Sequence, residues 1–138
     1  MLERLLNDLR AVLIVEGVND KDQINSAFTN DDRIKVLVTE GTKVNNRVIA
    51  EIENYIVDGY TPYILSDPDE AGDHLARMIQ DVFPDISRLE VDLKECAYFT
   101  GKKYKAGIEY ASHTYLKKLI YPLIGVNYKP KEYPICWD

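Results

Sequence analysis

Ala11-Val12-Leu13-Ile14-Val15-Glu16-Gly17-Val18-Asn19-Asp20 and, much later in the chain, Tyr63-Ile64-Leu65-Ser66-Asp67-Pro68-Asp69-Glu70-Ala71-Gly72 are two stretches built to one plan. Each opens on a short, wholly apolar run and closes on acids and a glycine. The runs are too short for helices and do not alternate with polar residues, which is how strands buried on both faces of a parallel sheet read. Val36-Leu37-Val38 is a third such run, and Leu89 to Leu93, which does alternate, suits an edge strand. Helical periods fill the gaps: Lys21 to Phe28, Val44 to Asp58 before Gly59, Glu70 to Val82 before Pro84, and a last one from Ser112 through Ile120. Strand and helix patterns alternate, so the expectation is an α/β domain with about four mainly parallel strands flanked by helices and joined by right-handed crossovers.

The 138 residues fit one domain, and 46% hydrophobic with 29% charged residues is ordinary globular composition. The expected division is an N-terminal helix over 1–10, the domain proper over 11–120, and a tail over 121–138 that holds three of the 6 prolines and wraps on the surface. No apolar run approaches the roughly 20 residues that a bilayer requires, so no membrane partner is expected. Met1-Leu2-Glu3-Arg4-Leu5-Leu6 mixes charge into its apolar stretch, unlike a signal peptide. Cys96 and Cys136 have no metal-ligand spacing and read as free thiols of a reducing cytosol, so the expected location is cytoplasmic. A net charge of -6 argues against a wholesale basic nucleic-acid binder. It leaves room for a site that concentrates carboxylates around divalent cations, whose own charge then dominates locally.

In a parallel sheet the carboxyl ends of the strands share one edge, where ligands bind. If the first and third apolar strands are neighbours, Glu16, Asp67 and Asp69 converge there. Magnesium takes oxygen ligands, is usually held by one or two carboxylates, and keeps waters for a substrate's phosphates. Asp67 and Asp69, two apart across Pro68 in extended geometry, would point to the same side and share an ion. Glu16, on another strand, would bind a second ion or act as general acid or base. Gly17 and Gly72 remove side chains where backbone must approach a phosphate or bend sharply. Taken singly, a Glu-Gly turn and an Asp-Pro-Asp turn with a helix cap are commonplace. Their conjunction at two apolar strand ends is not.

These residues resemble the Toprim family, whose two signatures are matched by Glu16, Gly17 and Asp20 and by Asp67, Asp69 and Gly72. Within that family the likeness is to the ribonuclease M5 group, through Thr39-Glu40-Gly41-Thr42, Ser66 to Gly72, and Gly107-Ile108-Glu109-Tyr110-Ala111-Ser112; it runs from about Ala11 to Leu119. The resemblance implies a Toprim (Rossmann-like) fold, one or two Mg2+ ions with Mn2+ as a substitute, and endonucleolytic cleavage of structured RNA such as a ribosomal precursor. By the match, Glu16, Asp67 and Asp69 are catalytic and metal-binding, with Gly17, Asp20, Gly72 and Glu109 in support. Val18 and Asn19 stand where the ribonuclease M5 pattern has a Lys and an Asp. The sequence ends soon after the Toprim part, so substrate grip is expected from elsewhere in the chain or from a protein partner.

One source of grip is Lys94, Lys102, Lys103 and Lys105, interleaved with Tyr98, Phe99 and Tyr104 around Gly101. Cations among aromatics suit RNA or DNA, by phosphate contact and base stacking, although a solvated loop whose rings pack on the core reads the same way. His74 and His113 read as bystanders on helices. Two other functions compete. One is a catalytically idle Toprim module that binds metal or nucleic acid, or serves as a subunit of a larger replication, repair or RNA-processing enzyme. The other is a phospho-acceptor receiver domain, which would want paired acids after the first strand and a Lys after a fifth.

Overall fold

The computed structural model describes residues 9–130. Four strands, β1 (Ala11–Val15), β2 (Ile34–Val38), β3 (Thr61–Ile64) and β4 (Ser87–Arg88), form one parallel sheet in the order β2-β1-β3-β4. β1 is central and every one of its residues is buried, which is why its sequence is apolar without alternation. Its odd residues, Ala11, Leu13 and Val15, enter one hydrophobic cluster; its even residues, Val12 and Ile14, enter the other. The pleat thus divides one strand between two cores.

Helices cover both faces. α1 (Val18–Ala27) and α4 (His113–Ile120) supply Ile24, Ala27, Leu116 and Ile120 to the first cluster. α2 (Asn46–Val57) and α3 (Glu70–Val82) supply Val48, Ile52, Leu75, Ala76 and Ile79 to the second. Asn45 caps α2 by accepting from the Val48 N–H at 3.0 Å, and Ser112 caps α4 by accepting from Tyr115 N–H at 3.0 Å. The α/β expectation with four parallel strands holds, and sheet order adds what sequence could not supply: β1 and β3 are neighbours, paired from Ala11↔Thr61 to Ile14↔Ile64.

Three boundaries differ from the sequence reading. α1 starts at Val18, not Lys21, because the chain turns helical directly after Gly17, whose N–H is taken by the Asp20 carboxylate at 3.2 Å. Val18 is exposed and so left no amphipathic signal. The fourth strand is Ser87–Arg88, not Leu89 to Leu93. β3 offers it only Tyr63 and Ile64; past the Leu89 N–H bond to the Ile64 carbonyl, Leu89 and Val91 pack on the first cluster without a ladder. Finally, Ala97–Phe99 (β5) and Tyr104–Ala106 (β6) form an antiparallel hairpin where the sequence suggested a loop.

Pro62 lies inside β3, where a missing N–H would ordinarily break the ladder. Thr61 and Leu65 donate to the Arg10 and Ile14 carbonyls on the β1 side, so alternate residues face the other way, and β4 begins pairing only at Tyr63. The missing donor points where, among the described residues, no strand runs. Beyond α4, Tyr121–Ile124 makes a 3-10 turn rather than irregular surface chain; Ile124 is buried, and Tyr121 packs edge-on against Phe28 at 5.1 Å. The expected N-terminal helix, apart from Leu9 and Arg10, and the end of the tail lie outside the described residues.

Leu13 is fully buried at the centre of β1. Leu13→Ala is expected to cost about 2–5 kcal/mol in urea unfolding, the range for a cavity in a core that cannot collapse around it. A cost under about 1 kcal/mol would mean that β1 is not the centre of the fold.

Candidate active site

The helix after β1 lies on one face of the sheet and the helix after β3 on the other, although the two strands are adjacent. Chain departing in opposite directions opens a crevice at the carboxyl ends of β1 and β3, the place where α/β sheets bind ligands. Glu16 leaves β1 at this crevice. Asp67 and Asp69 leave β3 there, so the structure brings together the three acids that sequence singled out.

Glu16 is held by its backbone. Its carbonyl accepts from the N–H groups of Glu40 at 3.0 Å and Gly41 at 3.3 Å, in the loop after β2. That loop can turn back because Glu40 (φ 60) and Gly41 (φ 113) adopt positive φ, and Thr39, itself buried, bonds the Gly41 carbonyl through its hydroxyl. The role of Thr39-Glu40-Gly41 as a peg for Glu16 was not visible in sequence; the Glu-Gly pair at a strand end was its only trace.

Pro68 does not continue the strand, contrary to the extended geometry expected. The Asp69 N–H donates to the Asp67 carbonyl at 2.9 Å, making a three-residue turn. Asp69 caps α3, its Oδ1 accepting from Gly72 N–H at 2.7 Å. The carbonyl of Asp67 lies so close to Gly72 that a Cβ there would sit 1.8 Å from the oxygen. Arg88 steadies the same carbonyl from β4, donating at 3.0 Å, while its guanidinium also pairs with Asp73. Asp67 Oδ1 accepts from the N–H of Ile108 at 2.8 Å. A Cβ on Gly107 would meet this carboxyl at 3.4 Å, so the glycine lets the chain pass close to it.

Asp20, behind Glu16 on α1, is buried. Glu109 sits on a 3-10 turn (Ile108–Tyr110) that packs on α1, where Gln23 donates to the Ala111 carbonyl at 2.6 Å. Five carboxylates therefore share this edge, and three of them, Glu16, Asp67 and Asp20, are raised. Burial pushes Glu16 above the usual carboxylate range, and the charges of Asp67 and then Asp69 add to it. Burial also raises Asp67; the Ile108 N–H pulls back, while Asp69 and Glu109 push further. Asp20 is pushed up to about 6, by burial first and then by Asp67, with Glu109 and Glu16 contributing and the Gly17 N–H opposing.

The donor set suits a hard dication. Asp67, Asp69 and Asp20 each commit one oxygen to a backbone N–H. That fixes the orientation of each group and leaves its second oxygen for a ligand. The Ser66 hydroxyl, buried just past β3, has no hydrogen-bond partner among the described residues, a cost that cores seldom leave standing and that sites often do. Among the described residues no three such side chains already stand in a ligating cage. Cys96 is buried and, among the described residues, unpaired, and burial with Asp67 nearby pushes its thiol up to about 11, which makes it a poor nucleophile. His74 and His113 are both exposed.

The four lysines do not join the acids. Lys94 lies on a 3-10 turn (Leu93–Cys96), Lys102 and Lys103 at the tip of the β5–β6 hairpin, and Lys105 on β6. Tyr110 escaped sequence reasoning. It stacks on Tyr98 at 5.7 Å, and the neighbouring Glu109 carboxylate raises its pKa.

No protein-family model matches the chain. It is similar to ribonuclease M5 of Mycoplasma mycoides, with 31% identity over 119 residues, 86% of this chain and 64% of that protein. It is also similar to the uncharacterized protein YusF of Bacillus subtilis, with 31% identity over 63% of this chain and 57% of the relative. A UPF0292 protein of Pyrococcus furiosus is 25% identical over 79% of this chain and 76% of its own length. The likeness thus spans less than two thirds of the first two relatives. Among solved structures, a small TOPRIM domain protein from Bacillus stearothermophilus superimposes with a TM-score of 0.60 at 24% identity, covering 83% of this chain and 85% of that one. The fold expected from the paired acidic signatures is the fold found.

Gly72→Ala is expected to cost about 3 kcal/mol or more in thermal or urea unfolding, since a fixed carbonyl occupies the space its Cβ needs. Asp20 gives a pH signature in EDTA. Its folded pKa lies above its unfolded one, so the native state binds the extra proton between about 4 and 6 and stability falls as pH rises through that window. Asp20→Asn keeps an acceptor for Gly17 and should raise Tm at pH 7 while matching the parent below pH 4. Equal Tm shifts at both pH values would remove the charge argument.

Proposed function

We propose that this chain, a small Toprim-fold protein similar in sequence to ribonuclease M5, is a magnesium-dependent endonuclease acting on structured RNA, with a ribosomal precursor as the substrate class its likeness suggests. The observation that carries the reading is the convergence of Glu16, Asp67 and Asp69 at the β1/β3 crevice, where Asp67 and Asp69 raise the proton affinity of Glu16 and Asp69 that of Asp67. Such an edge is costly unless a cation or a proton neutralises it.

Asp67 and Asp69 would hold the ion through the oxygens that their backbone bonds leave free, with Asp20 and Glu109 adding negative potential behind them. Bound Mg2+ would supply charge neutralisation at the phosphate and a polarised water. Glu16 stands across the crevice, its pKa raised by burial and by the charges of Asp67 and Asp69, where it would take a proton from an attacking water and return one to the leaving oxygen. In hydrolysis one P–O bond forms from water and one P–O bond to the chain breaks, and the proton lost by water ends on the leaving group. Mn2+ should substitute, since it takes the same oxygen donors.

Val18, exposed, and Asn19 at the start of α1 favour a second reading, a Toprim module that binds metal or nucleic acid without cutting, or that serves as a subunit of a larger enzyme. Two measurements separate them. Under the nuclease reading, Mg2+ binds by isothermal titration and a structured RNA is cleaved. Glu16→Gln, Asp67→Asn and Asp69→Asn should each lose about 100-fold or more in rate, in line with removal of a proton-transfer or charge-stabilising group. Ion binding with no cleavage would leave the idle module; undiminished cleavage in all three variants would refute both assignments of the acids.

A further inference from the structure

We propose that the β5–β6 hairpin is a stacking platform for unpaired nucleotides, placed to hold a single-stranded stretch of the chain whose backbone the acidic edge would handle. The inference rests on the nuclease reading only in taking the bound strand as the one the acidic edge would cut; the platform itself is built from the hairpin.

In its register Ala97 faces Ala106, Tyr98 faces Lys105 and Phe99 faces Tyr104. Alternation puts Phe99, Tyr104 and the two alanines on one face and Tyr98 with Lys105 on the other. All six residues are exposed, Tyr98 by 56%, Phe99 by 54% and Tyr104 by 74%, so the rings are not packed on the core. A two-stranded hairpin open on both faces is marginal by itself, and three exposed rings on one are a surface made for something else. Phe99 and Tyr104 hold each other at 4.8 Å, and Tyr98 lies nearly parallel to Tyr110, 15° apart in plane. The rings are thus preset, and the small Ala97 and Ala106 leave the strand low beside the Phe99–Tyr104 pair.

Charge and position name the occupant. Lys102 and Lys103 crown the turn, closed by the Thr100 N–H bond to the Lys103 carbonyl at 3.0 Å, and Lys105 shares a face with Tyr98. None of the three forms an ion pair among the described residues. Cations between rings fit a polyanion carrying flat bases, not an apolar protein surface. The hairpin also springs from the acidic crevice. The Gly107 N–H closes its base on the Cys96 carbonyl at 2.9 Å, and the next residue, Ile108, donates to Asp67. A base inside a duplex has both faces covered by its neighbours, so only an unpaired nucleotide can offer one to Tyr98 or Tyr104.

The test is fluorescence anisotropy of the full chain in EDTA, where cleavage cannot intervene, with labelled single strands of about 12 nucleotides as RNA and as DNA, and the RNA as a duplex. Single strands should bind about tenfold or more tighter than duplex; comparable RNA and DNA affinities mark shared base and phosphate recognition, and tighter RNA binding marks the ribose as a contact. Tyr98→Ala and Tyr104→Ala should each weaken binding about fivefold or more at unchanged Tm, and Tyr98→Phe should restore it. Lys102, Lys103 and Lys105 changed together to Gln should lower the salt slope by about 2. Duplex bound as tightly as single strand, ring variants that bind like the parent, or no binding by the parent would each overturn the platform. Cleavage by a chain whose ring variants bind and cut normally sinks the platform alone; single-strand binding by a chain that never cleaves sinks the nuclease reading alone.

Discussion

Parallel pairing of β1 with β3, from Ala11↔Thr61 to Ile14↔Ile64, is the constraint on which everything else depends. Because the helices that follow them leave to opposite faces, the chain must open at that junction, and whatever residues end the two strands face each other there. Here those residues are acids. Backbone N–H groups are spent on them wherever the fold can supply one: Ile108 to Asp67, Gly72 to Asp69, Gly17 to Asp20. The bonds from Ile108 and Gly17 favour the ionised forms of Asp67 and Asp20. Even so, Asp67 and Asp20 remain raised, so burial and like-charge repulsion outweigh the donors. A core selected only for stability would place neutral groups at such a junction.

Much of this was legible in the chain because it is local. The apolar run of β1 needed to be buried on both faces and is; Asn45 and Ser112 sit where helix caps belong. The acids were legible because each ends an apolar strand, and adjacency of those strands was the one spatial assumption needed. What stayed hidden is contact between distant segments. Nothing near Asp67 in sequence announces that its carboxyl meets the Ile108 N–H 41 positions on, and nothing around Glu16 announces the Glu40 and Gly41 donors on its carbonyl. The fourth strand was displaced for a related reason. Alternation over Leu89 to Leu93 is real, and Leu89 and Val91 do pack on the core, but β3 ends too soon to give that stretch a ladder. The β5–β6 hairpin was missed because its residues are exposed on both faces, which erases the alternation that marks a strand.

The distribution of charge is compatible with a net -6 and the polyanionic partner proposed above. Overall charge governs how a protein is attracted from a distance, and that range is cut to about 10 Å by ordinary salt. At contact only local groups count. The crevice concentrates acids that a divalent cation can invert in sign, and the hairpin sets lysines apart from them on a projecting ribbon. Neither feature requires the rest of the surface to be basic.

Asp67 joins these parts mechanically. Its carbonyl accepts from Arg88 of β4 and from Asp69 N–H and lies against Gly72 of α3; its carboxyl holds the chain that emerges from the hairpin. A carboxylate accepts a hydrogen bond about twice as strongly as a neutral acid does. Whatever keeps Asp67 ionised therefore tightens its grip on Ile108 and, through Gly107 and Cys96, on the base of the hairpin. The acidic edge and the base of the projecting ribbon are thus joined through a single side chain just past β3.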